Sequence, residues 1–92
     1  MSLQWLFDVI EDRKKNPNEK SYTTSLFKEG LPKIAQKVGE EGTEVVVAAL
    51  AQDDQRLIEE VADLTFHTLV LLSARGLSPA DGMTELEKRH KK

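Results

Sequence analysis

The fold of this chain is decided by residues 31–76, which read LPKIAQKVGEEGTEVVVAALAQDDQRLIEEVADLTFHTLVLLSARG. Within this segment, apolar residues recur at helical spacing on either side of a short polar connection. The spacing predicts a first helix over about Leu31–Ala51. It predicts a second helix that is capped by Asp53 or Asp54 and runs to Arg75. Because the connection is short, the two helices should be antiparallel neighbours.

Five carboxylates lie on the two arms of this predicted hairpin: Glu40, Glu41 and Glu44 on the first, Glu60 and Asp63 on the second. The last two acids of the first arm are three residues apart, as are the two acids of the second, so each pair shares one helix face. In an antiparallel pair, residues whose numbers have the same sum lie at the same depth. This rule places Glu44 opposite Glu60. It also places Glu41 opposite Asp63. Four carboxylates at one level would repel strongly unless a cation lay among them, so the sequence predicts a metal site.

The composition describes one small domain over residues 1–92. The formal charge is −3, with 32% charged and 39% hydrophobic residues, which is typical of a soluble globular protein and lacks the basic excess of a general nucleic-acid binder. There is no cysteine, so any metal must take oxygen or imidazole ligands. No apolar stretch approaches the length of a membrane span, and the N-terminus lacks the pattern of a signal peptide. A cytoplasmic protein without membrane or nucleic-acid partners is therefore expected.

The predicted chemistry follows from the acids. Carboxylate oxygens favour Mg²⁺ or Mn²⁺, which bind substrate phosphates as well and activate water for in-line attack on phosphorus. Glu41 falls in the middle of an apolar helical stripe, a local inconsistency that tends to mark a functional site. Lys37, one turn earlier, either pairs with Glu41 or contacts a phosphate. A di-iron bundle is disfavoured because it needs a Glu-x-x-His pair, and Glu60 is followed at that distance by Asp63. Metal-assisted phosphoanhydride hydrolysis is the favoured reaction.

Further helical segments flank the hairpin. An amphipathic first helix, which Ser2 could cap, stops at Asn16-Pro17. A short helical turn follows a cap at Thr23 or Thr24. A last helix begins after Ser78, in a capping sequence with proline at its first position. The chain is therefore predicted to be an all-α antiparallel bundle of about four main helices.

The second arm of the hairpin is nearly apolar on all sides between Leu64 and Ala74. A helix of that kind is buried in most directions, and a chain of this length cannot easily surround it. The sequence therefore predicts that the bundle is completed by a second copy of the chain, as a homodimer or a higher oligomer.

The acidic motifs resemble those of the all-α MazG-like nucleotide pyrophosphohydrolases, with E-E-x-x-E in residues 40–44 and E-x-x-D in residues 60–63. The chain is more closely similar to the phosphoribosyl-ATP pyrophosphatases of histidine biosynthesis. That similarity is carried by these segments: Arg13-Lys14, Ser21-Tyr22-Thr23, Leu26-Phe27 with Gly30, Lys37-Val38-Gly39-Glu40-Glu41, Ala62-Asp63-Leu64 with His67, and Arg75-Gly76-Leu77.

The resemblance implies a Mg²⁺-dependent enzyme, an all-α dimer, that hydrolyses phosphoribosyl-ATP to phosphoribosyl-AMP and pyrophosphate. By position, the implied catalytic acids are Glu40, Glu41 and Glu44. The implied metal ligands are Glu41, Glu44, Glu60 and Asp63, with Glu40 as a further ligand or a base that positions water. The implied substrate contacts are Lys37, Arg13, Ser21, Tyr22 and Arg89.

Two positions depart from the family pattern. Gly42-Thr43 stands where Ala-Thr is expected, and Phe66 where tyrosine is common, but neither departure removes an implied ligand. His67 is either a partner of Asp63 or a core histidine. Two other functions stay open at this point: a pyrophosphohydrolase acting on ordinary or non-standard nucleoside triphosphates, and a non-catalytic helical module whose acids bind a structural cation or a basic partner.

Overall fold

The computed structural model describes residues 2–91 and confirms the all-α prediction. It contains five helices and, over those residues, no strand: α1 Leu3–Lys15, α2 Tyr22–Glu29, α3 Leu31–Ala51, α4 Asp54–Ala74 and α5 Pro79–His90. The segment predicted as a short turn is a helix of eight residues, so the bundle has five helices and not four with a turn. Within the same residues, no helix is long and apolar enough to cross a membrane.

The predicted hairpin is formed by α3 and α4, which pack against each other more extensively than any other pair of helices. Both helices have 21 residues. The connection is closed by Asp53, whose side chain accepts a hydrogen bond of 2.9 Å from the backbone N–H of Arg56. At the far end of α4, Gly76 adopts a φ of 72°, a conformation that other residues rarely take. The boundaries of the hairpin thus agree with the prediction.

The cap of α2 differs from the prediction of Thr23 or Thr24. The helix begins at Tyr22, and the side chain of Ser21 accepts a 3.2 Å hydrogen bond from the backbone N–H of Thr24. Thr24 is buried and its hydroxyl accepts from the N–H of Asn18 at 3.1 Å, which fastens the preceding loop to the helix. Ser21, Thr23 and Thr24 each suit a cap by propensity, and the choice depends on where the backbone turns.

The hydrophobic core lies where α1 and α2 pack on the N-terminal half of α3 and the C-terminal half of α4. Its buried members are Phe7, Ile10, Leu26, Ile34, Leu69 and Val70. Helix α5 contributes no buried residue. It starts at the predicted capping box, in which the backbone N–H of Ser78 donates to the carboxylate of Asp81 at 2.9 Å.

A group of polar contacts among Glu11, Lys14 and Ser73, here called the polar lock, joins α1 to the C-terminal end of α4. The hydroxyl of the fully buried Ser73 donates to Glu11 Oε2 at 2.5 Å, and Lys14 Nζ donates to the carbonyl of Ser73 at 2.8 Å. Lys14 also lies 3.0 Å from the Glu11 carboxylate. The hydrogen bond from Ser73 is the main reason that the pKa of Glu11 lies below its usual value, with Lys14 adding to the effect against the opposing influence of burial.

Removal of this lock should lower the stability of the fold in a pH-dependent way. Because the pKa of Glu11 is lower in the folded chain, its ionised form favours folding at all pH values above the unfolded-chain pKa of about 4.3. That contribution is lost as the pH falls through the lower folded-state value. We expect Glu11→Gln to reduce the free energy of unfolding at pH 7 by about 1 kcal/mol, since the carboxylate is partly exposed and screened.

Chemical denaturation of both chains across the acid range measures this effect, and the difference between them should shrink as the pH falls below about 4. Glu87→Gln, an exposed change on α5 at a residue with no ion pair among residues 2–91, is the matched control. Equal stability of Glu11→Gln and the unmodified chain at neutral pH would show that the lock does not contribute.

Candidate active site

Three of the predicted acids converge at the interface of α3 and α4. One carboxylate oxygen from each of Glu41, Glu60 and Asp63 lies within 4.8 Å of the others. Glu41 is 9% exposed and Glu60 is 6% exposed, whereas Asp63 lies open to solvent. The cluster therefore has a buried floor built from two rigid helices and one open side.

The other two predicted acids lie outside this cluster. Glu44 is exposed and is not one of the three converging acids, although the depth rule placed it opposite Glu60. The rule fixes the level of a residue along the helix axis but not its direction around that axis, and Glu44 is turned by about 60° from Glu41. Glu40 is also exposed and accepts a 3.0 Å hydrogen bond from Gln36. That bond is the main reason that the pKa of Glu40 lies below its usual value.

Each buried acid has a basic partner one turn earlier on its own helix. Lys37 Nζ lies 3.5 Å from Glu41 Oε1 and 3.7 Å from Glu40 Oε1. Burial acts to lower the pKa of Lys37, but the combined attraction of Tyr22, Glu41 and Glu40 outweighs it and the pKa is raised. These pairs offset part of the free-energy cost of placing carboxylates in a helix interface.

The partner of Glu60 is Arg56, which sequence reasoning missed. Arg56 donates to Glu60 Oε1 at 2.6 Å and also contacts Glu59. The signal was present, because Arg56 and Glu60 have the i, i+4 spacing that brings two side chains together on one helix face. The same spacing joins Lys37 to Glu41, so the two arms of the hairpin carry the same arrangement of base and acid.

An aromatic group lies beside the acids. The hydroxyl of Tyr22 is 2.9 Å from His67 Nε2, and His67 Nδ1 is 2.8 Å from the main-chain carbonyl of Asp63. The ring of Phe66 stacks on that of Tyr22, with centroids 6.2 Å apart. His67 is buried, and its link to Asp63 runs through the backbone and not through the carboxylate.

The remaining predicted substrate contacts lie elsewhere. Ser21 uses its hydroxyl oxygen to cap α2. Arg13 pairs with Asp12 at 3.0 Å on α1. Arg89 pairs with Glu85 at 2.9 Å on α5. The structure therefore joins Lys37 to the carboxylate cluster but joins neither of these two arginines to it.

The donor set of the cluster fits a hard divalent cation. All three converging groups are carboxylates, which suit Mg²⁺ and Mn²⁺ and not softer metals. Three such ligands would leave about half of an octahedral coordination sphere for water and phosphate oxygens. An arrangement of this kind can place a polyphosphate beside a rigid acidic floor.

Comparison with known sequences identifies the family. The sequence model of the phosphoribosyl-ATP pyrophosphohydrolases matches residues 3–90. The chain belongs to this family. It is 51% identical to the phosphoribosyl-ATP pyrophosphatase of Pyrobaculum calidifontis, over 97% of this chain and 95% of that protein. It is 49% identical to the enzyme of that name from Clostridium acetobutylicum, over 98% of this chain and 82% of that protein.

Some relatives are longer. The histidine biosynthesis bifunctional protein HisIE of Xylella fastidiosa is 51% identical over 90% of this chain, and the match covers 40% of that protein. The chain thus spans less than half the length of the bifunctional relatives that it matches, and most of the length of the relatives named for the pyrophosphatase alone.

The pairing of Arg56 with Glu60 predicts a stability difference that depends on divalent cations. Arg56→Gln leaves the buried Glu60 without a cationic partner, and we expect it to lower the melting temperature in a chelating buffer. Millimolar Mg²⁺ should restore most of that loss, because a cation at the cluster neutralises the same acid.

Thermal denaturation with and without Mg²⁺ measures the difference. Arg89→Gln is the matched control, since it removes an ion pair of the same i, i+4 spacing in which the acid is about half exposed. A loss for Arg56→Gln that Mg²⁺ leaves unchanged would contradict cation binding at Glu60.

Proposed function

We propose that this chain is a Mg²⁺-dependent phosphoribosyl-ATP pyrophosphohydrolase, which converts phosphoribosyl-ATP to phosphoribosyl-AMP and pyrophosphate in histidine biosynthesis. The observation that carries the proposal is the convergence of Glu41, Glu60 and Asp63 in a chain that belongs to this family. Mn²⁺ is an alternative cofactor with the same ligand preference. A cytoplasmic location accords with a biosynthetic role and stays a prediction.

The proposed metal ligands are the three converging acids, with Glu44 added from the next turn of α3. A bound divalent cation supplies charge neutralisation of the polyphosphate and a water of lowered pKa. Glu40 lies 3.7 Å from Lys37 and is proposed to orient the attacking water, since a glutamate carboxylate is ionised at neutral pH and can accept hydrogen bonds from water.

Lys37 is the proposed phosphate contact. Its ammonium group lies near Glu41 and Glu40, so a positive charge stands at the edge of the acidic cluster, where it could bind a phosphate of the substrate. Tyr22 and Ser21, at the start of α2, are proposed to contact the rest of the substrate. Ser21 keeps its hydroxyl proton free to donate, because its oxygen acts as acceptor in the cap.

Arg13 and Arg89 stay predictions from the resemblance. Each guanidinium is already paired with an acid of its own helix, and no contact in residues 2–91 links either one to the carboxylate cluster. Each pair uses one nitrogen of the guanidinium, so within the described residues the remaining N–H groups of either arginine are free to bind a phosphate.

We also propose that the chain forms a homodimer or a higher oligomer through its hairpin. Large apolar side chains are exposed at the turn end of α3 and α4: Val46, Val47, Leu50, Ile58 and Val61. A second apolar surface lines a groove of about 720 Å³ between α1, α4 and α5, bordered by Leu3, Leu64, Met83 and Leu86 among others. In a chain this short, a second copy is the simplest cover for such surfaces.

A charge placed on the hairpin surface should disrupt the proposed assembly. Leu50 is 83% exposed, so Leu50→Glu has little reason to alter the monomer but would bury a charge in a dimer. We expect the unmodified chain to sediment as a dimer or larger and Leu50→Glu to sediment as a monomer with unchanged helix content. Gln52→Glu, two residues away, is the control. A monomeric unmodified chain at micromolar concentration would contradict the proposal.

The proposed activity is tested by pyrophosphate release from phosphoribosyl-ATP, with and without Mg²⁺, beside ATP, dCTP and dUTP. We expect metal-dependent turnover of phosphoribosyl-ATP alone. Turnover of the simple triphosphates without phosphoribosyl-ATP would favour the broader nucleotide pyrophosphohydrolase reading. No turnover at all would favour the non-catalytic module.

Asp63→Asn tests the cluster in the same assay. Asp63 is exposed and its carboxylate forms no ion pair among the described residues, so the change removes a proposed ligand with little effect on folding. We expect kcat/KM to fall by about 100-fold or more, with an unchanged melting temperature. Glu59→Gln is the control, since Glu59 neighbours the cluster and pairs with Arg56 but lies outside the converging acids. Full activity of Asp63→Asn would exclude Asp63 as a ligand.

A further inference from the structure

Tyr22 is exposed and yet held in place from two sides. Its side chain is 52% exposed at the first residue of α2. Its hydroxyl is hydrogen-bonded to His67 on α4, and its ring stacks on Phe66 at an interplanar angle of 29°. An exposed tyrosine on a helix surface usually has one end free in water. Here both the ring and the hydroxyl are fixed by the helix that carries Glu60 and Asp63.

The backbone determines which nitrogen of His67 carries the proton. His67 Nδ1 lies 2.8 Å from the main-chain carbonyl oxygen of Asp63, and a carbonyl oxygen can only accept. Nδ1 must therefore be the protonated nitrogen. Of the two neutral tautomers, this bond selects the one whose single ring proton is on Nδ1. Nε2 is then an acceptor, and the hydroxyl of Tyr22 is the donor in the 2.9 Å bond between them.

This arrangement uses the only proton of the phenol. A tyrosine hydroxyl has one O–H to donate and two lone pairs to accept with. With the proton turned towards His67, the oxygen of Tyr22 can offer any other group only an acceptor. Phosphate groups are mostly deprotonated at neutral pH and therefore act as hydrogen-bond acceptors, whereas the hydroxyl groups of a sugar donate readily. Tyr22 is thus suited to a sugar and unsuited to a phosphate.

The same tyrosine is linked to the turn of α4 that carries Asp63, because its hydroxyl is bonded to His67 and His67 is bonded to the Asp63 carbonyl. Asp63 in turn lies in the carboxylate cluster with Glu41, which pairs with Lys37. A substrate whose phosphates lie at the carboxylate cluster would have its neighbouring sugar on the side of the cluster where Tyr22 and His67 lie.

We propose that His67 is a positioning residue that acts through Tyr22: it holds the phenol proton inward so that Tyr22 accepts a hydrogen bond from a ribose hydroxyl of the substrate. The inference rests on the proposed function for the identity of the substrate. The bond between His67 and Tyr22 and its direction are properties of the chain alone, so the two can be tested apart.

Nitrogen NMR of the complete chain with labelled histidine tests the direction of the bond without substrate. The chain has two histidines and one tyrosine, so the signals are few. We expect His67 at neutral pH to show a protonated Nδ1 and an unprotonated Nε2, and Tyr22→Phe to shift the Nε2 signal. His90, exposed on α5, is the internal reference. A proton on Nε2, or an Nε2 signal that does not shift in the Tyr22→Phe variant, would overturn the proposal.

Binding measurements with the two products distinguish a contact of Tyr22 with the sugar from a contact with a phosphate. Calorimetry in the presence of Mg²⁺ should show that Tyr22→Phe weakens the binding of phosphoribosyl-AMP by about three- to tenfold, the effect of one hydrogen bond, and leaves the binding of pyrophosphate unchanged. Equal weakening of both products would mean that Tyr22 contacts a phosphate, and no weakening of either would mean that it contacts no substrate group. Both results contradict the proposal.

A double-mutant cycle tests whether His67 acts through Tyr22. We expect His67→Leu and Tyr22→Phe each to raise KM for phosphoribosyl-ATP by about three- to tenfold with a smaller change in kcat, and the double variant to be no worse than either. His67→Gln should recover part of the loss, because its amide oxygen can accept from the phenol. Additive losses would show that His67 is merely structural. If His67→Leu does not fold, His67→Gln combined with Tyr22→Phe gives the same cycle.

The proposed function and the proposed role of His67 can be contradicted independently of each other. If the unmodified chain does not hydrolyse phosphoribosyl-ATP, the proposed function is wrong, while the NMR and product-binding measurements still decide between an acceptor tyrosine and another role. If the chain turns over phosphoribosyl-ATP but the NMR shows the opposite tautomer, the function stands and the role of His67 is wrong.

Discussion

The burial of Glu41 and Glu60 between α3 and α4 is the constraint on which the rest of the structure depends. Ionised carboxylates in a helix interface are unfavourable unless opposite charges meet them, and here each acid has a base one turn earlier. Each of these ion pairs within a helix neutralises the charge of one buried acid only. A divalent cation, if bound as proposed, would neutralise both buried acids and Asp63 at once, which the separate pairs with Lys37 and Arg56 do not do.

The two ends of the hairpin differ in how far their apolar side chains are covered by the rest of the chain. At the end formed by the start of α3 and the finish of α4, the side chains of Ile34, Leu69 and Val70 are covered by α1 and α2. At the turn end, Leu50 and Ile58 are open to solvent. The acids lie between these two regions, at the boundary of the dry core. A second copy that covered the turn end would enclose the acids from the other side and lower the local dielectric, which strengthens electrostatic interactions within the site.

The sequence was informative where the determining signals were local. Asp53 as a cap and Gly76 as a terminator fixed the ends of the hairpin, and the depth rule brought Glu41 to Asp63. It did not place Glu44 among the three converging acids, because depth does not contain direction around the axis, and the role of Glu44 as a ligand stays a prediction. The cap of α2 was assigned two or three residues too late, since the nearby residues Ser21, Thr23 and Thr24 have similar capping propensities. The bond between α2 and His67 joins residues 45 positions apart, and no periodicity in the chain points to it.

That long-range bond matters because of what it fixes on α4. The carbonyl of Asp63 accepts the backbone N–H of residue 67 by helical geometry, and its second lone pair accepts from His67 Nδ1. One residue therefore pins the helical turn that starts at Asp63 and, through its other nitrogen, the first residue of α2. The proposed ligand Asp63 and the tyrosine at the start of α2 are thus held by the two nitrogens of a single imidazole. Because Leu26 of α2 also lies in the hydrophobic core, the core sets the position of α2 as a whole, and the imidazole sets the position of its first residue relative to Asp63.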